Sequence, residues 1–196
     1  MSLLEQLTQT LGGDNAAALG SQLGLDSGTA SKAISAALPM IIGAMARNAS
    51  KPEGAEALAG ALDRDHDGGI LDNLGSFLGS SDNGAGSNIL GHVFGQNRGG
   101  VESGLSEMVG INQNQAGGLM ENLAPIVMGM LSKQKSQQGL DIGGLASMLG
   151  GESKNSNSPM GGMAMSMLSG LLDKDGDGNV MDDLGSMLGG FLGGKK

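Results

Sequence analysis

Apolar residues at the start of the chain recur with the period of an α-helix. Leu3, Leu7 and Leu11 lie four residues apart. Ser2 and Glu5 precede and overlap this stripe with the spacing of a capping box, in which each side chain accepts a backbone N–H of the other residue. The pattern predicts a short amphipathic helix that ends at the following pair of glycines.

Two longer apolar segments each contain a proline. Asp26 or Ser27 is suited to cap the first segment, and Asn112 the second. Pro39 and Pro125 each remove one helical hydrogen bond, so the sequence predicts a kink in each segment, or a break into two shorter helices. The predicted apolar faces are Ala30, Ile34, Leu38, Ile41 and Met45 in the first segment, and Ala116, Leu119, Leu123, Val127 and Met130 in the second.

The second half of the chain repeats the first at a nearly fixed spacing. A shift of 86 positions pairs similar residues: Leu3 with Ile89, Leu7 with Val93, Gly24 with Gly110, and Pro39 with Pro125. The second half has an insertion near 139–163, and beyond it the shift becomes 110 positions, which pairs Asp63 with Asp173. Self-similarity over such a distance indicates a duplicated unit.

The domain organisation follows from this repetition. We expect a first helical repeat over 1–79, a linker over 80–88 with a Gly/Ser-rich sequence, and a second repeat over 89–196. Pro52 suits the first turn of a further helix over 55–62. Because alternation with period two is absent, the predicted fold is all-α, a duplicated bundle of short helices with flexible linkers.

Composition and charge narrow the possible functions. Among 196 residues there are 38 glycines, 14 methionines and three phenylalanines, with no Cys, Trp or Tyr, so any core is aliphatic and loosely specified. Without cysteine, thiol catalysis and thiolate metal sites are excluded. A formal net charge of −9 and no basic patch argue against a nucleic-acid partner. The longest apolar run, 38–46, is too short for a transmembrane segment.

An acidic segment occurs once in each repeat, at 63–72 and at 173–182, with the pattern D-x-D-x-D-G. Alternate carboxylates converge on a hard cation when the chain wraps around it, and glycine at the sixth position permits the sharp turn. Ile70 and Val180 would anchor the loops to the core. The candidate metal ligands are Asp63, Asp65, Asp67, Gly69 and Asp72 in the first loop, and Asp173, Asp175, Asp177, Asn179 and Asp182 in the second.

Both segments are shorter than a standard EF-hand loop. The twelfth position, which normally carries a bidentate Glu, is Leu74 in one and Leu184 in the other. Asp72 and Asp182, at the tenth position, could close a contracted loop that resembles the shortened calcium loops of the excalibur type. The pattern favours Ca²⁺, with Mg²⁺ possible, and the missing ligand predicts dissociation constants on the order of 10⁻⁶ to 10⁻³ M.

A structural alternative exists for the same residues. Each acidic segment could be a solvated loop in which Asp72 or Asp182 caps the following helix, where the helix dipole favours a carboxylate. The recurrence of the whole pattern at equivalent places favours the metal interpretation.

The chain resembles the bacterial DUF937 family, which is grouped with YidB-like proteins and has no known function. The resemblance rests on three stretches and covers nearly the whole sequence: Ile89-Leu90-Gly91-His92-Val93-Phe94-Gly95, Leu123-Ala124-Pro125-Ile126-Val127-Met128-Gly129, and Asp173 to Asp177 with the Leu184-Gly185 that follows. It implies a helical fold with an acidic loop, and it implies no active site.

No catalytic residue is predicted, and we expect the protein not to be an enzyme. His66 lies within an acidic segment at a non-ligand position, and His92 is expected on a helix surface. Nucleophile, phosphate-binding and dinucleotide-binding motifs are absent from the sequence.

The sequence therefore predicts a non-enzymatic calcium-binding protein, structural or self-assembling, in which calcium stabilises the fold. A calcium sensor or buffer that acts on a protein partner is the alternative, and an undiscovered enzyme is a more remote one. Without a signal-peptide pattern the default expectation is the cytoplasm, with leaderless export possible.

Overall fold

A computed structural model describes residues 2–65, 69–78 and 84–154, and every regular element in these ranges is helical. This confirms the all-α prediction for the described residues. The elements are α1 Leu3–Thr10, α2 Asp14–Leu23, α3 Ser27–Ala49, α4 Pro52–Asp65, α5 Gly69–Asp72, α6 Leu74–Leu78, α7 Gly84–Phe94, a 3-10 turn Gly95–Asn97, α8 Arg98–Val109, α9 Gln113–Gln138 and α10 Ile142–Lys154.

The two long helices, α3 and α9, pack against each other at the centre of the bundle. Both also contact α1, α2, α4, α7 and α8, while α5 contacts α9 and α10 contacts α3. Residues from both halves of the chain belong to one continuous apolar core. The predicted faces of both helices are buried, and so are residues on their other sides, such as Ala36 and Ala37 in α3. A central helix needs this because neighbours surround it.

Neither proline breaks its helix, so the two shorter helices considered for each segment do not form. α3 runs without interruption through Pro39, and α9 through Pro125. Both prolines are buried within the bundle. Packing on all sides stabilises the helical conformation and outweighs the hydrogen bond that each proline removes.

The predicted helix caps are present. The side chain of Asp26 accepts the backbone N–H of Thr29 at 3.0 Å, and Ser2 and Asn112 each form a complete capping box. At the other ends of α2 and α8, Gly24 and Gly110 adopt left-handed conformations with φ of 68° and 78°. Only glycine adopts this conformation without strain, so both helices end there.

The apolar face of α7 differs from the one that the repeat alignment implies. Leu90 and Phe94 are buried, whereas Ile89 and Val93, the alignment partners of Leu3 and Leu7, are only partly buried. The buried stripe of α7 continues to Gly86, which lies against α9. Successive residues of a helix point about 100° apart, so burial of Leu90 and Phe94 in place of Ile89 and Val93 means that α7 is rotated by that angle. The close contact of Gly86 with α9 favours this orientation.

The predicted linker over 80–88 is also corrected. α7 begins at Gly84, so positions 84–88 are helical, and 80–83 lie outside the described residues. The Gly/Ser-rich composition of these positions suggested a loop, but small residues also allow a helix to pack closely against a neighbour.

Among the described residues, α3 alone is long and apolar enough to cross a membrane by length and composition. In the bundle, 72% of its most apolar window is buried. A mostly buried apolar helix is also what the core of a water-soluble protein contains.

Candidate metal centre

The first predicted metal ligand, Asp63, lies near the end of α4. This helix extends to Asp65, beyond the 55–62 predicted for it, so the first positions of the acidic segment have helical backbone. The Asp63 side chain is 66% exposed, and its Oδ1 accepts a hydrogen bond from Nζ of Lys135 at 2.5 Å. An ammonium group thus already neutralises the carboxylate at the first ligand position.

Helix α9 holds the end of α4 through a second contact. The hydroxyl of Ser132 donates to the carbonyl of Leu62 at 3.4 Å, in a buried position. Ser132 and Lys135 are three residues apart, which places them on the same face of α9. A serine and a lysine on one helix therefore fix the entry to the acidic segment.

The other end of the acidic segment also lies against α9, through α5. Leu71 packs against the core, and Leu74 at the start of α6 is buried. Ile70, the predicted anchor, is only half-buried. Leu71 is partly buried as well, and it is the residue that packs against the apolar core.

Asp72 is exposed at the end of α5 and is not positioned to cap the next helix. α6 begins at Leu74, and the N–H of Phe77 donates to the carbonyl of Asn73. Asn73 therefore occupies the N-cap position that the structural alternative gave to Asp72.

The remaining predicted ligands do not come together within the described ranges. Asp67 lies outside them, and so does the whole second segment with Asp173, Asp175, Asp177, Asn179 and Asp182. In residues 2–65, 69–78 and 84–154, no group of three or more His, Cys, Asp or Glu side chains could hold a metal ion. The metal-ligand set therefore stays a prediction.

A charged cluster that the sequence did not predict surrounds Arg98 at the start of α8. Its guanidinium donates to Glu102 Oε1 at 2.6 Å, to Glu121 Oε1 at 2.5 Å and to the Ser87 hydroxyl at 2.8 Å. These partners lie on α8, α9 and α7, so one side chain joins three helices. Only the pairing with Glu102, four residues away on one helix, has a signal in the sequence.

Arg98 remains positively charged within this cluster. The hydrogen bond to the Glu102 carboxylate, more than any other interaction, raises the pKa of Arg98 above its ordinary value, so the guanidinium stays charged. A permanently charged guanidinium neither donates nor takes a proton in a reaction. Arg98 therefore joins three helices through a permanent charge and is itself no general acid or base.

His92 does not alter this picture. His92 is exposed in the last turn of α7, as expected of a helix-surface residue, and its backbone carbonyl accepts a hydrogen bond from the Asn48 side chain at 3.2 Å. His66 lies outside the described residues.

The fold and these contacts define an all-helical bundle around two buried, proline-containing helices. A family model described as a bacterial protein of unknown function (DUF937) matches residues 5–134, about two thirds of the chain, so the protein belongs to this family. No match was found among curated proteins or among solved structures. The matched range extends from α1 into α9, so it takes in both halves of the bundle and the first acidic segment, 63–72.

Proposed function

We propose that this protein is a non-enzymatic calcium-binding protein in which the ion stabilises the helical bundle. The observation that carries the proposal is the recurrence of D-x-D-x-D-G at 63–72 and 173–182. Ca²⁺ is preferred over Mg²⁺ because a flexible loop with several carboxylates suits its larger coordination number. We propose that the two halves of the chain are copies of one unit, each with a shortened EF-hand-like loop.

Two features around the first segment support the proposal. The first acidic segment begins in helix α4 and ends in helix α5, and helices likewise flank the calcium loops that it resembles. The exposed Asp63 carboxylate is accessible to an ion, and its partner Lys135 is a cation. A divalent ion with several carboxylate ligands can replace a single ammonium group, because the exposed pair contributes little by itself.

Calcium would act on the fold through α9. Both α4 and α5 contact this central helix, so an ion held between them would tie both ends of the acidic segment to the core. Binding to the folded state alone stabilises it by mass action, by about 2.7 kcal/mol at a hundredfold excess of ligand over the dissociation constant.

The test is calorimetric titration with CaCl₂, together with thermal melting in calcium and in chelator. We expect saturable calcium binding and a higher melting temperature with calcium, and we expect the double variant Asp65→Ala, Asp175→Ala to lose both. Asp14→Ala, which removes an aspartate outside the acidic segments, is the matched control and should bind as the unchanged protein does. Unaltered binding by the double variant would refute the proposal.

The same preparation distinguishes the two kinds of calcium protein. A structural, self-associating protein should sediment faster when calcium is added, whereas a sensor or buffer should keep its oligomeric state and bind another protein only with calcium. We propose the first, because the weak end of the expected range, about 10⁻⁴ to 10⁻³ M, is that of extracellular calcium modules, which stay occupied where calcium is abundant, and is weaker than that of cytosolic sensors.

A further inference from the structure

A polar cleft of about 320 Å³ lies between α1 and the last turns of α9, away from the acidic segment. One helix contributes Gln6, Gln9 and Thr10, which share a face because they are three and four residues apart. We name it the glutamine cleft. Its volume is near the lower end of the range of about 300–1,000 Å³ that is typical of small-molecule sites.

The wall formed by α9 carries hydrogen-bond donors. It consists of Met130, Lys133, Gln134 and Gln137. Lys133 is exposed and forms no ion pair within the described residues. No Asp or Glu lines the cleft.

Gln134 is the most informative residue of this wall. It is only 7% exposed, and its Oε1 accepts a hydrogen bond from Gln138 at 3.4 Å. Its amide nitrogen has no hydrogen-bond partner among the residues that the structure describes. This nitrogen lines the cleft and is therefore available to donate to an acceptor that enters it.

The residue equivalent to Gln134 in the first half of the chain makes hydrogen bonds to a neighbouring helix. The shift of 86 pairs Gln134 with Asn48. The Asn48 amide nitrogen donates to the carbonyls of His92 and Val93, at 3.2 and 3.0 Å, and so caps the end of α7. Gln134 makes no such bond to α1, and at its position there is a cleft instead of a closed contact.

We infer that the glutamine cleft binds a small hydroxy acid, a carboxylate that also carries hydroxyl groups. The Gln134 amide and the Lys133 ammonium both donate, which suits a carboxylate. Gln9 and Thr10 can donate and accept, which suits hydroxyl groups. A zwitterionic amino acid fits less well, because no lining carboxylate is available to pair with its ammonium group.

The probe is D-gluconate, titrated into the full-length protein and followed by ¹H–¹⁵N NMR. We expect saturable shifts confined to the facing turns of α1 and α9. D-glucose, which is similar in size but lacks the carboxylate, should bind much more weakly, and so should the zwitterion L-glutamine. The absence of shifts with gluconate, or equal binding of glucose, would overturn the inference.

Two substitutions locate the binding. Gln134→Leu should weaken gluconate binding by about tenfold or more, because it removes a hydrogen bond to a charged acceptor. Lys133→Met should weaken it about two- to fivefold, since the lysine is exposed. Gln96→Leu changes an exposed glutamine outside the cleft and should have no effect. If Gln134→Leu fails to fold, the exposed Lys133→Met decides, and unchanged binding by either folded variant counts against the inference.

Discussion

Gly86 determines how closely α7 can approach the central helix α9. A methyl group at this position would overlap the backbone carbonyl of Glu121. That carbonyl is the one to which residue 125 would donate in a regular helix, and Pro125 has no N–H. The backbone of α7 therefore packs against α9 at the site where the proline has freed a carbonyl.

We predict that Gly86→Ala lowers the free energy of unfolding by about 2–3 kcal/mol, because a backbone carbonyl cannot move aside as a side chain can. Gly91→Ala is the matched control on the same helix. A side chain there meets nothing within 4 Å, so this change should be neutral or stabilise by up to about 1 kcal/mol. Urea unfolding followed by circular dichroism measures both, and equal effects of the two substitutions would contradict the packing argument.

The N-cap of α3 predicts a pH dependence. Hydrogen bonds from the hydroxyl and the backbone N–H of Thr29 lower the pKa of Asp26 below its ordinary 3.8. A carboxyl group with a lowered pKa in the folded state adds stability above its unfolded pKa and loses this contribution as the pH falls through the folded pKa. The contribution is therefore complete at neutral pH and is lost below about pH 4.

Asp26→Asn tests this, because the amide oxygen of asparagine can still accept the backbone N–H of Thr29 while the negative charge is removed. We expect a lower melting temperature than that of the unchanged protein at pH 7, and a difference that shrinks when both are measured in acid. Asn112→Asp, at the equivalent cap of α9, should acquire the same pH dependence. A deficit that is constant with pH would show that charge at the cap is unimportant.

At the scale of elements, α9 connects parts of the chain that are far apart in sequence. It contacts α3, holds the end of α4 through Ser132 and Lys135, and contributes Glu121 to the Arg98 cluster. Its N-terminal turn also caps α2, because the Gln115 amide donates to the carbonyl of Leu23 at 3.0 Å. Substitutions on α9 should therefore affect the packing of several other helices.

We predict two opposite effects of Lys135→Met. Loss of the ion pair with the exposed Asp63 should destabilise the protein by no more than about 1 kcal/mol. If Asp63 is a calcium ligand, calcium should bind more tightly, since it no longer displaces an ammonium group. Lys133→Met, one half-turn away and without an ion pair among the described residues, is the control for calorimetry and melting. Weaker calcium binding by Lys135→Met would exclude this competition.

At the scale of the whole molecule, the two halves share one core, so they should unfold together. Leu38 in α3 and Leu123 in α9 are fully buried in it. Replacing either leucine by alanine should cost about 2–5 kcal/mol through lost burial and a cavity. The loss should appear in both halves.

Hydrogen exchange of the slowest amides in α2 and α8 measures this directly. We expect each substitution to lower protection in both helices by the same free energy, and denaturant unfolding to remain a single transition. Protection that falls only in the half carrying the substitution would indicate two independent units, as the predicted boundary between 1–79 and 89–196 allows.

Local sequence determined the elements that depend on neighbouring residues. Capping at Ser2, Asp26 and Asn112 and the apolar stripes of α3 and α9 could be predicted because their partners lie within a few positions along the chain. The family resemblance was also visible in short stretches of sequence. For the candidate metal centre, sequence supplied the ligand types and their spacing, and the described structure adds the position of Asp63 at the end of α4.

Only the tertiary structure decided the features that join distant segments. It kept α3 and α9 continuous through their prolines, rotated the buried face of α7 toward Gly86, and placed Lys135 against Asp63, 72 positions away. It also left the Gln134 amide facing a cleft, whereas Asn48, its counterpart in the first half of the chain, caps the end of α7. These outcomes depend on which helix surfaces meet, and helical periodicity fixes which residues share a face but not which face a neighbour will cover.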